Sequence, residues 1–543
     1  MGLYLLKDEE MSMGRIRVLD CTLRDGGYIN SWKFKRATIK SIVEKSQKAK
    51  IDIIEVGFLT EAIEDEDHSL FNDLGVIQGI IGNKNGGSMI VAMIAIGEKE
   101  IDPAVLPLYD GKSIDGIRLT FHRNEVEKAI AWATVIKNKG YKVFMQPVGT
   151  LFYKDVELLK LLDKMNELEP YAFYIVDTLG SMYRNELMYM FYLIDRNLDA
   201  KIHIGFHPHN NLQLAFSNSQ ELSRIATTRT IIIDSSVFGM GRGAGNLPTE
   251  LITQYINKSI GGQYDVTTVL EIYDEHISLI KEDYNWGYAM AYNIAAKNIC
   301  HPNYASFLMN KQTLTMKDIE KIIISIPQEK KEVFDKTLIE ELYLSYQNNK
   351  IDDSKTIARL KEMIANKPVL VLAPGRSLVD EKAKITDFIT NTEPYVISVN
   401  FVDNNFKIDS CFVSNHKRIE SIEAGVGMSV GTSVIATSNI MPSVLLQYLY
   451  VDYYSYINQD EVIFDNAGLL LFRLLIKCGI KNVTLAGFDG FKTRYNENYY
   501  SSKLSIHLNE THILEKQERM KEQLEMIKKE MDIKFLTKSI YEG

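Results

Sequence analysis

The sequence predicts an α/β protein in two parts: a (β/α)8 TIM barrel over residues 14–262 and a Rossmann-like open α/β domain over 367–543. A helical extension at 263–366 connects them. Three observations predict this. The chain has 543 residues, too many for one ordinary domain. Its first 240 residues alternate short apolar runs with amphipathic stretches, the rhythm of parallel strands and crossover helices. A second α/β pattern starts only after a long stretch in which the strand signal fades.

The first eight apolar runs are IRVLD (16–20), IDIIEVG (51–57), SMIVAMIAI (88–96), DGIRLTF (115–121), YKVFMQPV (141–148), AFYIVD (172–177), KIHIGFH (201–207) and RTIIIDSSV (229–237). They are rich in Ile, Val and Phe and nearly continuous, as parallel strands buried on both faces require. RATIKSIVEKSQKAK (36–50) and YKDVELLKLLDKMNEL (153–168) place apolar residues three and four apart, the helical period. An open doubly wound sheet is the competing arrangement, but it calls for fewer units and a Gly-rich turn after the first strand. KDIEKIIISI and KKEVFDKTLIEELYLSYQNN read as helices of the connector. Strands of the second part are expected in KPVLVLAPGRSL (367–378), EPYVISVN (393–400), KIDSCFVSN (407–415), GTSVIATSN (431–439) and KNVTLAGFDG (481–490). A charged amphipathic helix is expected over 510–532.

Composition narrows the function classes. Hydrophobic residues make up 45% and charged residues 24%, a globular balance that excludes a disordered or fibrous chain. Sixty-two basic against 71 acidic residues give a formal charge of −9, which offers no footprint for nucleic acid. No window reaches the roughly 18 apolar residues of a membrane span. MGLYLLKDEEMSMG lacks the basic and apolar regions of a secretory signal. Four scattered cysteines, without a CxxC, do not make a disulfide framework. The expectation is a cytoplasmic enzyme acting on small molecules.

Barrel active sites lie on the loops after the strands. The first run leads into Asp20-Cys21-Thr22-Leu23-Arg24-Asp25-Gly26-Gly27-Tyr28, where a carboxylate can hold a metal and a guanidinium can polarise a substrate oxygen. The seventh ends in His207-Pro208-His209. Residues i and i+2 of an extended chain project to one side, so two imidazoles can converge on one cation. Two His and one carboxylate leave positions open to substrate, as a catalytic metal site does. Singly, an HxH can be incidental and an Arg-Asp pair a salt-bridged strand end; their falling at the same barrel end unites them.

DCTLRDGGY, VDTLGSMY (176–183), HPHNNLQLAFSNS (207–219) and DSSVFGMGRGAGNLPTE (234–250) together resemble the metal-dependent pyruvate aldolases typified by 4-hydroxy-2-oxovalerate aldolase. That wider barrel family includes hydroxymethylglutaryl-CoA lyase and the isopropylmalate and homocitrate synthases. The resemblance spans roughly residues 14 to 300. It implies that Asp25, His207 and His209 ligate a divalent cation, with Mn2+ expected and Mg2+, Co2+ or Zn2+ as alternatives. It further implies that Arg24 stabilises the enolate oxygen and that Thr178 sits near the bound keto acid. Gln146, in YKVFMQPV, joins Thr178 as a substrate-binding candidate. The loop GMGRGAGN (239–246) either lends backbone amides to an anionic group or forms tight turns without a ligand.

One departure concerns the proton-transfer base. The aldolases carry a His where this chain has Tyr28, and a phenol with a reference pKa near 10 is a poor base at neutral pH. Tyr28 then acts as an acid, or His122, Tyr288 or Tyr292 takes the base role. The Glu-Gln pair that usually follows RDG in the acyl-transferring synthases is absent, which favours aldol over Claisen chemistry.

In the second part, Ala373-Pro374-Gly375-Arg376-Ser377-Leu378 follows a strand and opens a helix, so Arg376 and Ser377 are candidate phosphate donors. Asp489 is either a ligand contact or a turn cap. This part resembles, less specifically, sialyltransferase-like α/β domains, which implies a nucleotide or nucleotide-sugar partner. The expected whole is a homo-oligomeric lyase making or cleaving a carbon–carbon bond of a keto acid with an aldehyde or sugar, in surface polysaccharide biosynthesis. A Claisen-type acyl-CoA synthase and a non-catalytic barrel scaffolding the second domain are the alternatives.

Overall fold

The computed structural model describes residues 15–542 apart from 62–66, 83, 85–86, 424–430, 441–447, 459, 461, 492–498 and 500–509. The stretch at 1–14, where no secretory signal is expected, lies outside the described residues. The chain divides into two compact units, one of residues 1–306 with 327–334 and the other of 307–326 with 335–543.

Unit one is built on β1 (Ile16–Asp20), β2 (Ile53–Leu59), β3 (Leu70–Phe71), β4 (Met89–Ala95), β5 (Gly116–Phe121), β6 (Lys142–Pro147), β7 (Ala172–Asp177), β8 (His203–Pro208) and β9 (Ile231–Ser235). All pair in parallel in the order β1-β9-β8-β7-β6-β5-β4-β2, and β1 pairs β2 to close the ring (Leu19 opposite Ile53). Eight strands thus form a closed parallel barrel, and every one of the eight apolar runs supplies one. The short β3, added beside the outer end of β2, was not anticipated. Two residues carry no readable periodicity.

The barrel has two apolar layers. Outward-facing residues such as Val18, Ile54, Ile117 and Ile175 pack beneath the helices. Inward-facing Leu19, Ile53, Val91, Phe144, Tyr174 and Ile232 fill the amino-terminal end of the interior. Tyr174 lies across Gly205 of the neighbouring strand, where a Cβ would stand 2.3 Å from its ring. Only glycine permits that approach.

Unit two carries β10 (Val369–Leu372), β11 (Tyr395–Val399), β12 (Ser410–Val413), β13 (Ser433–Thr437), β14 (Tyr448–Val451), β15 (Asn482–Ala486) and β16 (Asp532–Phe535). They form one parallel sheet in the order β14-β13-β12-β11-β10-β15-β16. Val369 and Val371 enter one apolar cluster, Leu370 and Leu372 another, so the central strand is buried on both faces. The strands β14 and β16 were not predicted. Each has four residues; β16 alternates exposed with half-buried positions, and β14 is half-buried at its first three positions, as sheet-edge strands are. The segment 263–366 is helical, from Val266–Ile272 to Ser354–Ile364, and its helices divide between the two units. The predicted terminal helix spans Glu510–Lys528. All four cysteines are buried and free. Among the described residues no helix is long and apolar enough to cross a membrane.

Candidate active site

The turn after β1 sets the site. Cys21 carbonyl accepts from the amides of Arg24 (3.0 Å) and Asp25 (2.8 Å), which curls the chain so that both side chains re-enter the barrel mouth. Gly26 is required there, because a Cβ would meet the Thr22 carbonyl at 2.3 Å. Across the mouth, His207 closes β8 and His209 follows it. Ligand atoms of Asp25, His207 and His209 lie within 4.8 Å of one another, and all three residues are buried.

Both imidazoles are oriented from behind. His207 Nδ1 is 2.8 Å from Asp234 and its Nε2 lies 4.0 Å from Asp25 Oδ1. His209 donates Nδ1–H to the Asp177 carbonyl at 3.0 Å, and its Nε2 lies 3.6 Å from Asp25 Oδ2 with no hydrogen-bond partner. Such backing fixes the tautomer that presents a lone pair to a cation. Burial pulls His207 down to about 4 against the opposing pull of Asp234, so it is a neutral ligand near pH 7. Burial alone would raise Asp25, but Arg24 with His209 and His207 holds its carboxyl well below the usual range. These donors suit a divalent cation: one carboxylate and two imidazoles, one of which holds an orphaned buried nitrogen.

Behind them runs a buried ionic chain. Arg24 pairs with Asp25 at 2.5 Å and, through Nε, with Glu55 at 2.8 Å. Glu55 accepts from Arg118 at 2.7 Å, and Arg118 also pairs with Asp234, the partner of His207. Two guanidiniums against three carboxylates leave one net negative charge, which a divalent cation turns into one net positive charge. Low-dielectric surroundings make that sign change strong. Asn246 donates to Asp25 Oδ2 at 2.6 Å, is bridged to His209 through the backbone, and keeps a buried, partnerless Oδ1. In the glycine-rich loop, then, a side chain as well as the backbone faces the site.

A cavity of about 330 Å³ opens here, lined by Arg24, Asp25, Tyr28, His122, Gln146, Thr178, His207 and His209 among others. Eight of the barrel candidates therefore share one space. Arg24 keeps a buried Nη2 without a partner. Thr178 Oγ1 accepts from the Gly149 amide at 2.8 Å. Gln146, in the amide orientation that satisfies both partners, accepts from Arg118 Nε at 2.6 Å. Tyr28 donates to Glu98 at 3.2 Å and lies under the Arg242 guanidinium at 3.9 Å; burial raises its phenol, outweighing Arg242. It stays protonated through the neutral range.

Two candidates lie elsewhere. Tyr288 is exposed beside Met290, and Tyr292 bonds Ser306 at 3.1 Å; neither lines the cavity. His301 lines it instead: its Nδ1 accepts from the Asn303 amide at 3.2 Å, and burial holds it at about 3, a neutral ring with Nε2–H to donate. Arg242, Glu98 and His301 were not among the candidates, since nothing local marks them.

Residues 15–274 match the HMGL-like family model. That stretch is similar to the HMGL-like family. It is 27% identical over 256 residues to 4-hydroxy-2-oxovalerate aldolase of Geobacillus genomosp. 3, covering 45% of this chain and 71% of that one. It is 25% identical over 246 residues to oxaloacetate decarboxylase of Mycobacterium tuberculosis (strain ATCC 25618 / H37Rv), covering 44% and 70%. The HMG-CoA lyase structure from Brucella melitensis aligns over 49% of this chain and 99% of that one, at 13% identity and a TM-score of 0.39.

In unit two, Arg376 and Ser377 are corrected. Ser377 donates its amide to Asp489 at 2.8 Å and its hydroxyl to Asp489 and Thr537, which ties the turn to the loop after β15. Arg376 is exposed and pairs with Asp380 at 3.6 Å. Of the three substrate-binding candidates there, Asp489 alone lines the unit's cavity, and it caps the turn as well.

Proposed function

We propose that the HMGL-like domain is a divalent-cation-dependent lyase that breaks or makes the carbon–carbon bond of a 4-hydroxy-2-oxo acid through an enolate, yielding a 2-oxo acid and an aldehyde. The observation that carries this reading is the convergence of Asp25, His207 and the partnerless Nε2 of His209 beside the unspent Nη2 of Arg24. Asp25, His207 and His209 would hold the cation, Mn2+ being our expectation. When bound, it supplies Lewis acidity toward the keto and carboxylate oxygens of the substrate.

Arg24 donates to the oxygen on which enolate charge develops, and Glu55 fixes the guanidinium so that no reorganisation is needed as the bond breaks. Arg242, lining the same cavity, attracts the substrate's negative charge. Gln146 and Thr178 orient the keto acid. His122 takes the proton of the 4-hydroxyl in cleavage, and Tyr28, protonated against Glu98, returns one to the enolate carbon. His301 donates from Nε2 to hold the leaving aldehyde oxygen. Loss of carboxylate from oxaloacetate proceeds through the same enolate, and the decarboxylase relative favours it as a second reaction of the site.

The experiment is solvent exchange of pyruvate methyl protons in D2O, quenched with chelator and read by NMR. Exchange should require added Mn2+ and vanish in Arg24→Ala. Absence of exchange with bound cation would refute the enolate reading, and thiol release from acetyl-CoA would replace it with Claisen chemistry.

A further inference from the structure

The proposed reaction assigns the proton at the enolate carbon to Tyr28, a phenol with a reference pKa near 10 that burial raises further. Run in reverse, from oxo acid to enolate, the same step asks that phenol to take a proton from carbon. A neutral phenol can do so only if its own proton leaves in the same step, so the group that its O–H faces decides the chemistry. That group is Glu98. Tyr28 donates to its Oε1 at 3.2 Å, with Oε2 at 3.5 Å, and both residues line the cavity.

The loop after β4 holds that carboxylate at the rim. Ala95 and Lys99 exchange both backbone hydrogen bonds, at 2.8 and 2.9 Å, which folds residues 96–98 into a tight turn. Gly97 takes the left-handed φ of +76° there, and a Cβ on it would stand 2.6 Å from Glu125. Lys99 is fixed in turn. Its ammonium bonds Glu98 Oε1 at 2.8 Å and lies over the Trp32 ring at 4.1 Å, with the Tyr28 and Phe58 rings each at 5.5 Å. Burial would raise the Glu98 carboxyl, but Lys99 and Arg242 hold it below the usual range, so it stands ionised as an acceptor. Its side chain is 53% exposed, so the carboxylate that Tyr28 meets also meets bulk water. Glu98 thus joins a buried phenol in the well to solvent outside it.

We propose that Glu98 is the terminal proton acceptor of the barrel site, acting through Tyr28: the carbon–hydrogen bond breaks to the Tyr28 oxygen as the Tyr28 O–H bond breaks to Glu98. The electron pair of the carbon–hydrogen bond remains on the enolate. Tyr28 is neutral before and after the step, and Glu98 passes the proton on to water. The reverse sequence, from water through Glu98 and Tyr28, protonates the enolate carbon. This relay rests on the enolate reading given above.

The test is exchange of pyruvate methyl protons in D2O with added Mn2+, in the parent, Glu98→Gln, Glu98→Ala and Tyr28→Phe, with Mn2+ affinity measured alongside by equilibrium dialysis. Affinity should match the parent in all three variants, and exchange should fall by about 10²–10³-fold in each. Because Glu98 is exposed, chloroacetate, formate and acetate should restore exchange in Glu98→Ala, at rates that rise with the basicity of the carboxylate. None should restore it in Tyr28→Phe. A carboxylate that only anchored Lys99 and Tyr28 would give no dependence on basicity. Parental exchange in Glu98→Gln or Tyr28→Phe would overturn the relay and leave the enolate reading intact. So would loss without rescue in Glu98→Ala, or a fall in Mn2+ affinity in Glu98→Gln. Absence of exchange in the parent with bound cation would remove the enolate reading and the relay together.

Discussion

His209 donates Nδ1–H to the carbonyl of Asp177 and so faces Asp25 with its Nε2, 3.6 Å away and without a hydrogen-bond partner. That Nε2 is the atom proposed to accept the cation. His209→Ala removes that acceptor, and Mn2+ affinity should fall by more than about 100-fold in equilibrium dialysis. Retention of one tightly bound cation by the variant would show that the site lies elsewhere.

Asp234 joins His207 to Arg118. Asp234→Asn keeps the shape but leaves the fully buried guanidinium short of a counter-charge and frees the His207 tautomer. Cation affinity should drop by about 10–100-fold. Urea unfolding of the chelated protein should show a loss of about 3–5 kcal/mol, the usual result of breaking a buried pair. An unperturbed midpoint would mean that Arg118 is adequately held by Glu55 alone.

Arg24 contacts both Asp25 and Glu55 while keeping one nitrogen unspent. A lysine cannot make that three-way arrangement. Arg24→Lys should bind Mn2+ nearly as the parent does yet lower kcat by about 10²–10³-fold, the scale of losing one oxyanion donor. If kcat held while KM rose, the residue would be a binding group only.

What could be read beforehand follows from locality. Asp25 and Arg24 are neighbours in the chain, and His207 and His209 share one strand end, so their convergence was written in single segments. Glu55, Arg118 and Asp234 come from three strands and meet only when the barrel closes. The clue existed: IDIIEVG, DGIRLTF and RTIIIDSSV each carry a charge inside an otherwise apolar run, and a buried charge needs a partner. Tyr288 and Tyr292, before and within the helix Met290–Lys297, lie far along the chain from any barrel strand, and nothing local ties them to the barrel mouth. In unit two, Ser377 and Asp489 were both noticed, but that they would satisfy each other depends on two loops brought together by β10 and β15.

Burial holds His203 at about 4 and His301 at about 3, both below the reference value near 6.5 of an unfolded imidazole. A depressed folded value means that stability is complete above about pH 6.5 and declines as the pH falls toward 4, because the unfolded chain binds those protons first. The melting temperature of chelated protein should therefore decrease between pH 7 and 4.5. His203→Gln should flatten that slope, and an equally steep slope would assign acid sensitivity to other groups.

Tyr174, lying over Gly205, fills the barrel interior with Phe144 and Ile232 beside it, so the lined cavity is a well closed at that end. Traffic through a well is last in, first out. In the proposed reaction, an oxo acid seated against Asp25 and Arg24 at the bottom would leave only after the aldehyde above it. Release should be ordered accordingly, with the oxo acid competing against substrate for the free enzyme and the aldehyde meeting an enzyme already occupied.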